Sequence, residues 1–159
     1  MTGRAPWNAE EASRIIEDHR ALEGAALPVL HALQEHFGYV DNAAVGLIAQ
    51  ALNLSRAEIH GVVTFYHDFR SAPVDGPVLK LCRAESCQSM GCEDLVAHLA
   101  QAHGINPDKS EAGAGLKLET VYCLGNCALS PAALLDHEPI GRLDTARLDA
   151  IVHENARPQ

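Results

Sequence analysis

The sequence predicts a helical bundle over residues 1–70 followed by a small α/β unit over residues 78–159, an α+β or α/β chain in two parts. Three observations carry this. Apolar residues recur at helical spacing before residue 70, with capping residues ahead of the runs. Two prolines and a glycine fall within Ser71-Ala72-Pro73-Val74-Asp75-Gly76-Pro77, which marks 71–77 as a linker. Beyond it, short apolar runs alternate with polar stretches in the order β-α-β-β-β-α.

In the first part, Asn8 with Glu11 approximates a capping box, and Ile15, Ile16, His19 and Leu22 follow on one face until Gly24. Pro28 suits the first turn of a second helix with Leu30, Leu33 and Phe37 as its stripe and Gly38 past its end. Asp41 caps a third helix carrying Leu47, Ile48 and Leu52, closed by Asn53. Ser55-x-x-Glu58 is a full capping box and opens a fourth, through Ile59, Val62, Val63 and Tyr66. These stripes are read as core packing.

In the second part, Val78 to Leu81 is a strand, and Glu93, Leu95, Val96, Leu99 and His103 form a helix that ends at Gly104. Ile105 to Gly115 reads as a loop and Leu116 to Val121 as a second strand, parallel to the first through a right-handed crossover. Ala132–Leu135 and Pro139–Leu143 read as two more strands around His137-Glu138, and Asp144 caps a last helix with Ala146, Leu148 and Ile151.

Composition narrows the function classes. Of 159 residues, 47% are hydrophobic and only 4% aromatic, so the core is aliphatic. Twenty-one acidic against 12 basic residues give a formal charge of −9, and neither part is basic, which argues against nucleic acid or an anionic membrane as partner. There is no long uncharged apolar run and no signal-peptide h-region, so a cytoplasmic protein without membrane contact is expected. Five cysteines, an odd number, do not suggest a disulfide framework.

Four of those cysteines form a C-x4-C pair, Cys82 and Cys87, and a C-x3-C pair, Cys123 and Cys127, separated by 35 residues. Each pair begins where a strand ends. If the strands are neighbours, the four sulfurs meet at one edge of one sheet as a four-thiolate metal site. Such a site needs sulfur on short loops with backbone N–H groups aimed at the negative charge. Cys87 stands ahead of the helix, and Gly91, Gly125 and Asn126 permit the positive φ that tight wrapping requires. Structural zinc is the rival reading, although its usual C-x2-C knuckles are absent. A thiol–disulfide oxidoreductase would need C-x-x-C, which is also absent, and inert buried thiols would not sit at matched strand ends. Cys92, inside the helix after Cys87, reads as a free thiol, with a spare ligand as the alternative. His60 and His67, seven apart, have no third ligand at matching spacing and read as solvated or hydrogen-bonded histidines. Gly113-Ala114-Gly115 completes no nucleotide fingerprint. No nucleophile elbow, P-loop or paired-carboxylate motif marks substrate chemistry.

With these residues in view, the chain resembles the thioredoxin-like 2Fe–2S subunit family of NADH dehydrogenases. The resemblance rests on Leu33-Gln34-Glu35-His36-Phe37-Gly38-Tyr39-Val40, on Val63-Thr64-Phe65-Tyr66, on the cysteine spacing and on Leu124-Gly125-Asn126-Cys127. It implies an N-terminal helical bundle joined to a thioredoxin-like 2Fe–2S ferredoxin domain, with Cys82, Cys87, Cys123 and Cys127 as cluster ligands. Within the family, Cys82-Arg83-Ala84-Glu85-Ser86-Cys87-Gln88-Ser89-Met90-Gly91 is most similar to the γ subunit of NAD-dependent molybdenum formate dehydrogenases. The implied role is electron transfer by a 2Fe–2S cluster in a multisubunit complex, without catalysis by this chain itself. The implied neighbour is an FMN- and NAD(H)-binding subunit, with the molybdenum cofactor on a further catalytic iron–sulfur subunit. The alternatives are the equivalent subunits of respiratory NADH:quinone oxidoreductase or of bidirectional NAD-linked hydrogenase. A zinc-stapled adaptor is the alternative of another class.

Overall fold

Polar side chains that bond orphan backbone N–H groups decide where the first helices begin. Residues 5–74, 76–107 and 115–155 are described by a computed structural model. Asn8 Oδ1 accepts from the N–H groups of Glu10 and Glu11 at 2.9 and 3.1 Å and starts α1, Ala9–His19. α2, Ala26–Phe37, ends at Gly38, whose φ is 85°. Asp41 caps α3, Asn42–Leu52. The reciprocal box of Ser55 and Glu58 opens α4, Arg56–Phe65. Ile16, Leu30, Leu33, Phe37, Ile48 and Ile59 fill the core between these helices.

Two expected stripe residues lie outside that core. α1 stops at His19, so Leu22 falls beyond the helix and is exposed. Tyr66 is the C-terminal cap of α4 and is exposed, as is Phe65. Gln34 is the core's one polar side chain among the described buried residues. Its amide donates to the Asp68 carbonyl and accepts from the Arg70 N–H, both at 2.7 Å, which ties the chain after α4 back onto α2.

The chain divides into two compact units, residues 1–73 and 74–159. In the second, β1, Val78–Cys82, lies at the centre of a four-stranded sheet. It runs parallel to β2, Lys117–Val121, with Cys82 opposite Val121. It is antiparallel to β3, Ala133–Leu135, which pairs with the edge strand β4, Glu138–Ile140. Pro139 is tolerated in β4 because one side of an edge strand needs no ladder donor. Parallel neighbours require a crossover, and here it comprises α5, Glu85–Ser89, and α6, Cys92–His103. α7, Thr145–Asn155, follows the sheet. Leu79, Leu81 and Leu118 pack with Leu99 of α6 and Leu148 of α7 into a second core.

The mixed α and β architecture is the expected one, with differences in detail. α5 is an additional helix, too short to show an apolar period. The third and fourth strands are shorter than expected, and Leu143 lies past β4 yet is buried. Of the expected loop 105–115, residues 108–114 lie outside the described residues, Gly113 and Ala114 among them, as does Asp75 of the linker. No described helix is long and apolar enough to cross a membrane.

Replacing Gln34 by alanine leaves one backbone carbonyl and one N–H without their partner. The expected loss is about 1–3 kcal/mol, read as an earlier urea midpoint for the helical unit. Unchanged unfolding would show that water replaces the side chain at no cost.

Candidate metal centre

The parallel register places the C-terminal ends of β1 and β2 side by side, and each end runs directly into a cysteine loop. The Cys82 N–H bonds the Ala132 carbonyl at 3.0 Å and the Arg83 N–H bonds Val121 at 2.9 Å, so the chain leaves β1 still laced to its neighbours. Arg83 then reaches across to α6, where its Nε and one terminal nitrogen donate to the Glu93 carboxylate at 2.8 and 2.6 Å. That pair lowers the Glu93 pKa. It also holds the two ends of the first loop, 83 and 93, together.

Between them, Cys87 sits inside α5 rather than ahead of a long helix, and Gly91 joins α5 to α6 at φ 87°. In the second loop Gly125 has φ 73°, but Asn126 does not adopt the positive φ expected of it; Cys123 does, at 95°. A non-glycine residue in that region is strained, and here it is one of the four cysteines. Cys127 opens a single 3-10 turn ending at Leu129. That turn leaves no room at Gly141, where a Cβ would lie 2.5 Å from the Leu129 Cβ.

Two serines tie the loops to each other. Ser130 Oγ donates to the Cys127 carbonyl at 2.8 Å, lies 2.8 Å from Ser86 Oγ, and accepts from the Cys87 thiol at 3.6 Å. Neither serine belongs to a motif recognisable in the sequence. The signal for them is weak: each stands within three residues of a cysteine, but serine is common in loops.

Cys82 and Cys87 are buried, and Cys123 and Cys127 are exposed. Burial pushes the Cys82 thiol up. The Ala84 N–H, the Cys87 thiol and the N–H groups of Cys123 and Leu124 outweigh it and hold Cys82 below its ordinary value. The Gly125 N–H lies 3.3 Å from Cys123 Sγ. Cys127 is raised by its hydrogen bond to Cys123, by the negative charge there, by desolvation, and by Cys87 and Cys82. Cys127 therefore feels the other three sulfurs. The four also pair as the sequence pairs them, Cys82 with Cys87 and Cys123 with Cys127.

This arrangement is not a single tetrahedron. Among the described residues, no three cysteine sulfurs lie within 4.8 Å of one another, whereas four thiolates about 2.3 Å from one zinc ion would sit about 3.8 Å apart. Two sulfur pairs with inward N–H donors fit a two-metal group better than one ion. Cys92 is the first residue of α6 and wholly buried beside Cys82 and Cys87. Burial first, then Glu93 and Cys87, raise its pKa to about 11, so it is a neutral thiol at neutral pH. His60 and His67 are exposed and join no such cluster.

Residues 12–156 match the model of the thioredoxin-like 2Fe-2S ferredoxin family. The chain is 32% identical over 143 residues to one of the NADH-quinone oxidoreductase subunits of Rhizobium meliloti, covering 90% of this chain and 83% of that protein. It is 25% identical to the NADP-reducing hydrogenase subunit HndA of Solidesulfovibrio fructosivorans, over 91% of this chain and 84% of that one. A crystal structure of an air-oxidized NAD+-reducing NiFe hydrogenase superposes with a TM-score of 0.66 at 30% identity. That match covers 79% of this chain but only 22% of the hydrogenase chain, so the present chain is similar to one part of a much longer polypeptide.

In the metal-free chain at pH 7.5, iodoacetamide should modify the exposed Cys123 and Cys127 ahead of Cys92, because Cys92 is wholly buried as well as protonated. Peptide mass spectrometry reads the order of labelling. Early modification of Cys92 would contradict its placement.

Proposed function

This chain belongs to the thioredoxin-like 2Fe–2S ferredoxin family, and on that premise we propose that it is the electron-transfer subunit of an NAD-linked oxidoreductase complex, with Cys82, Cys87, Cys123 and Cys127 as ligands. The observation that carries the reading is the convergence of two cysteine loops at adjacent ends of parallel strands. A 2Fe–2S cluster held there supplies reversible one-electron transfer. The chain's own residues do the rest. The N–H groups of Ala84, Cys123 and Leu124 stabilise anionic sulfur. Ser86 and Ser130 fix the distance between the loops. Ala132, Val121 and Leu124 pack around Cys82 and Cys87 and exclude water from that half, while the Cys123 and Cys127 half stays at the surface, where an electron can be exchanged.

Along the two cysteine loops, apolar side chains project outward. Tyr122 is 77% exposed, Met90 59% and Leu129 39%, and all three stand in or beside the cysteine loops. Large apolar side chains at such a rim suit a protein partner. The partner proposed is the FMN- and NAD(H)-binding subunit, which the similarity to subunits of NADH-quinone oxidoreductase and hydrogenase complexes supports. The finer proposal is that the parent complex is an NAD-dependent molybdenum formate dehydrogenase, with molybdenum on another catalytic chain. Its support is the likeness of the segment Cys82 to Gly91 to the γ subunits of those enzymes.

Three experiments test this. Serine at 82, 87, 123 or 127 should abolish or strongly reduce iron and acid-labile sulfide after anaerobic purification, and Cys92→Ser should retain both. Equal loss in Cys92→Ser and Cys87→Ser would sink the ligand assignment. Affinity purification of the wild-type chain from its own cells should bring down a flavoprotein and a molybdenum subunit with NAD-dependent formate oxidation. Recovery of quinone-reductase or hydrogenase subunits would reassign the parent complex. Leu129→Glu should keep the visible spectrum yet fail to capture the flavoprotein, whereas Leu124→Glu, packed against the buried cysteines, should lose the cluster. Normal assembly by Leu129→Glu together with Tyr122→Glu would remove this rim as the docking face.

A further inference from the structure

α6 and α7 share one core, Leu95 and Leu99 with Leu148, Ile151 and Val152. At the rim of that packing the two helices present a second group of metal donors, which no sequence spacing within one element reveals. His98 Nε2 and His103 Nε2 both face Asp149 Oδ1, at 2.7 and 2.6 Å. The donor atoms of all three lie within 4.8 Å of one another. The side chains are half sheltered, with exposures of 27% for His98, 14% for His103 and 38% for Asp149. His153, one turn beyond Asp149 on α7, sets its ring edge-on to His103 with centroids 6.0 Å apart. The group is distinct from the cysteines. α6 starts at Cys92, and at 1.5 Å per residue His98 is about 9 Å and His103 about 16 Å further along the helix axis.

Two imidazole nitrogens and one carboxylate form a donor set for a borderline divalent ion. Imidazole suits zinc, copper, iron and nickel, whereas calcium and magnesium prefer oxygen alone. We propose that His98 Nε2, His103 Nε2 and the Asp149 carboxylate bind one divalent transition-metal ion of the zinc class, with His153 or water completing its coordination. Without metal, each Nε2–H donates to the carboxylate. With metal, each Nε2 is bare and the ring keeps one proton on Nδ1, moved there by tautomerisation of a neutral ring or left there when a charged ring releases its Nε2 proton to solvent, and the ion replaces the two hydrogen bonds. Zinc at about 2.0–2.1 Å from tetrahedral donors sets them about 3.3 Å apart. The present N–O separations then widen by about 0.6 Å, through rotation of three side chains on two fixed helices. The consequence is a clamp between the far end of α6 and α7. Helix-borne ligands on packed elements favour such a site, because the backbone already holds them in place.

The test uses the tag-free full chain, purified with its cysteine centre loaded, and zinc ion alone as the probe. Calorimetric titration and zinc counts after dialysis are compared with those of His98→Gln, His103→Gln and Asp149→Asn. Wild type should hold one more zinc per chain than each variant, or bind it at least tenfold more tightly. The ring resonances of His98 and His103 should move as zinc is added, and His153→Gln should weaken binding less. Any zinc on the cysteines is common to all chains and cancels in the comparison. Visible absorption and far-UV dichroism identify variants that keep the fold. If a histidine variant fails to fold, Asp149→Asn, which preserves size, carries the comparison. Equal zinc content and affinity in wild type and Asp149→Asn, with unmoved histidine resonances, would overturn the proposal and leave Asp149 as a hydrogen-bond acceptor only.

Discussion

The second unit depends on one strand pairing, the parallel register that sets Cys82 beside Val121. Had β1 and β2 run antiparallel, their cysteine loops would lie at opposite ends of the sheet. A slip of one residue would turn Cys82 to the other face, since side chains alternate along a strand. The crossover that parallel pairing demands is used as well: α5 carries Cys87, and the head of α6 supplies Glu93 to fasten Arg83. The hydrophobic face of the sheet against α6 and α7 keeps that register in place.

Bringing four sulfurs together creates a charge problem, and the local structure answers it. Cys127 is pushed up first by its hydrogen bond to Cys123 and then by the negative charge around it, since each thiolate raises the cost of ionising the next. Backbone N–H groups at Ala84, Cys123 and Leu124 act in the opposite sense on Cys82. Aiming those groups requires a sharply turned second loop, and the positive φ falls on Cys123 itself. Gly141 completes the support by its lack of a Cβ, since the turn at Leu129 occupies the space. The fifth thiol, Cys92, is raised first by its burial and then by Glu93 and Cys87, and stays neutral.

Much of this is legible in the sequence where a signal is local. The Ser55–Glu58 box and the Asp41 cap mark their helices because capping depends on residues two or three apart. The cysteine pairs mark strand ends because apolar runs lead into them. Features set by tertiary structure are not legible. α5 has five residues and no period. Leu22 and Tyr66 continue an apolar stripe in sequence, but the helices stop short of or at them, so the stripe does not predict their burial. The Ser86–Ser130 contact spans 44 residues. Asp149 meets His98 and His103 only because α6 and α7 pack on one core, which histidine spacing alone does not show.

The two cysteine pairs are proposed to hold a two-iron group rather than a single ion. X-ray absorption of the anaerobically purified chain, at both the iron and zinc edges, tests this most directly. The expected result is iron in an all-sulfur shell with a second iron as near neighbour, and loss of that signal in Cys87→Ser. One zinc ion per chain in a four-sulfur shell, with no iron, would contradict it.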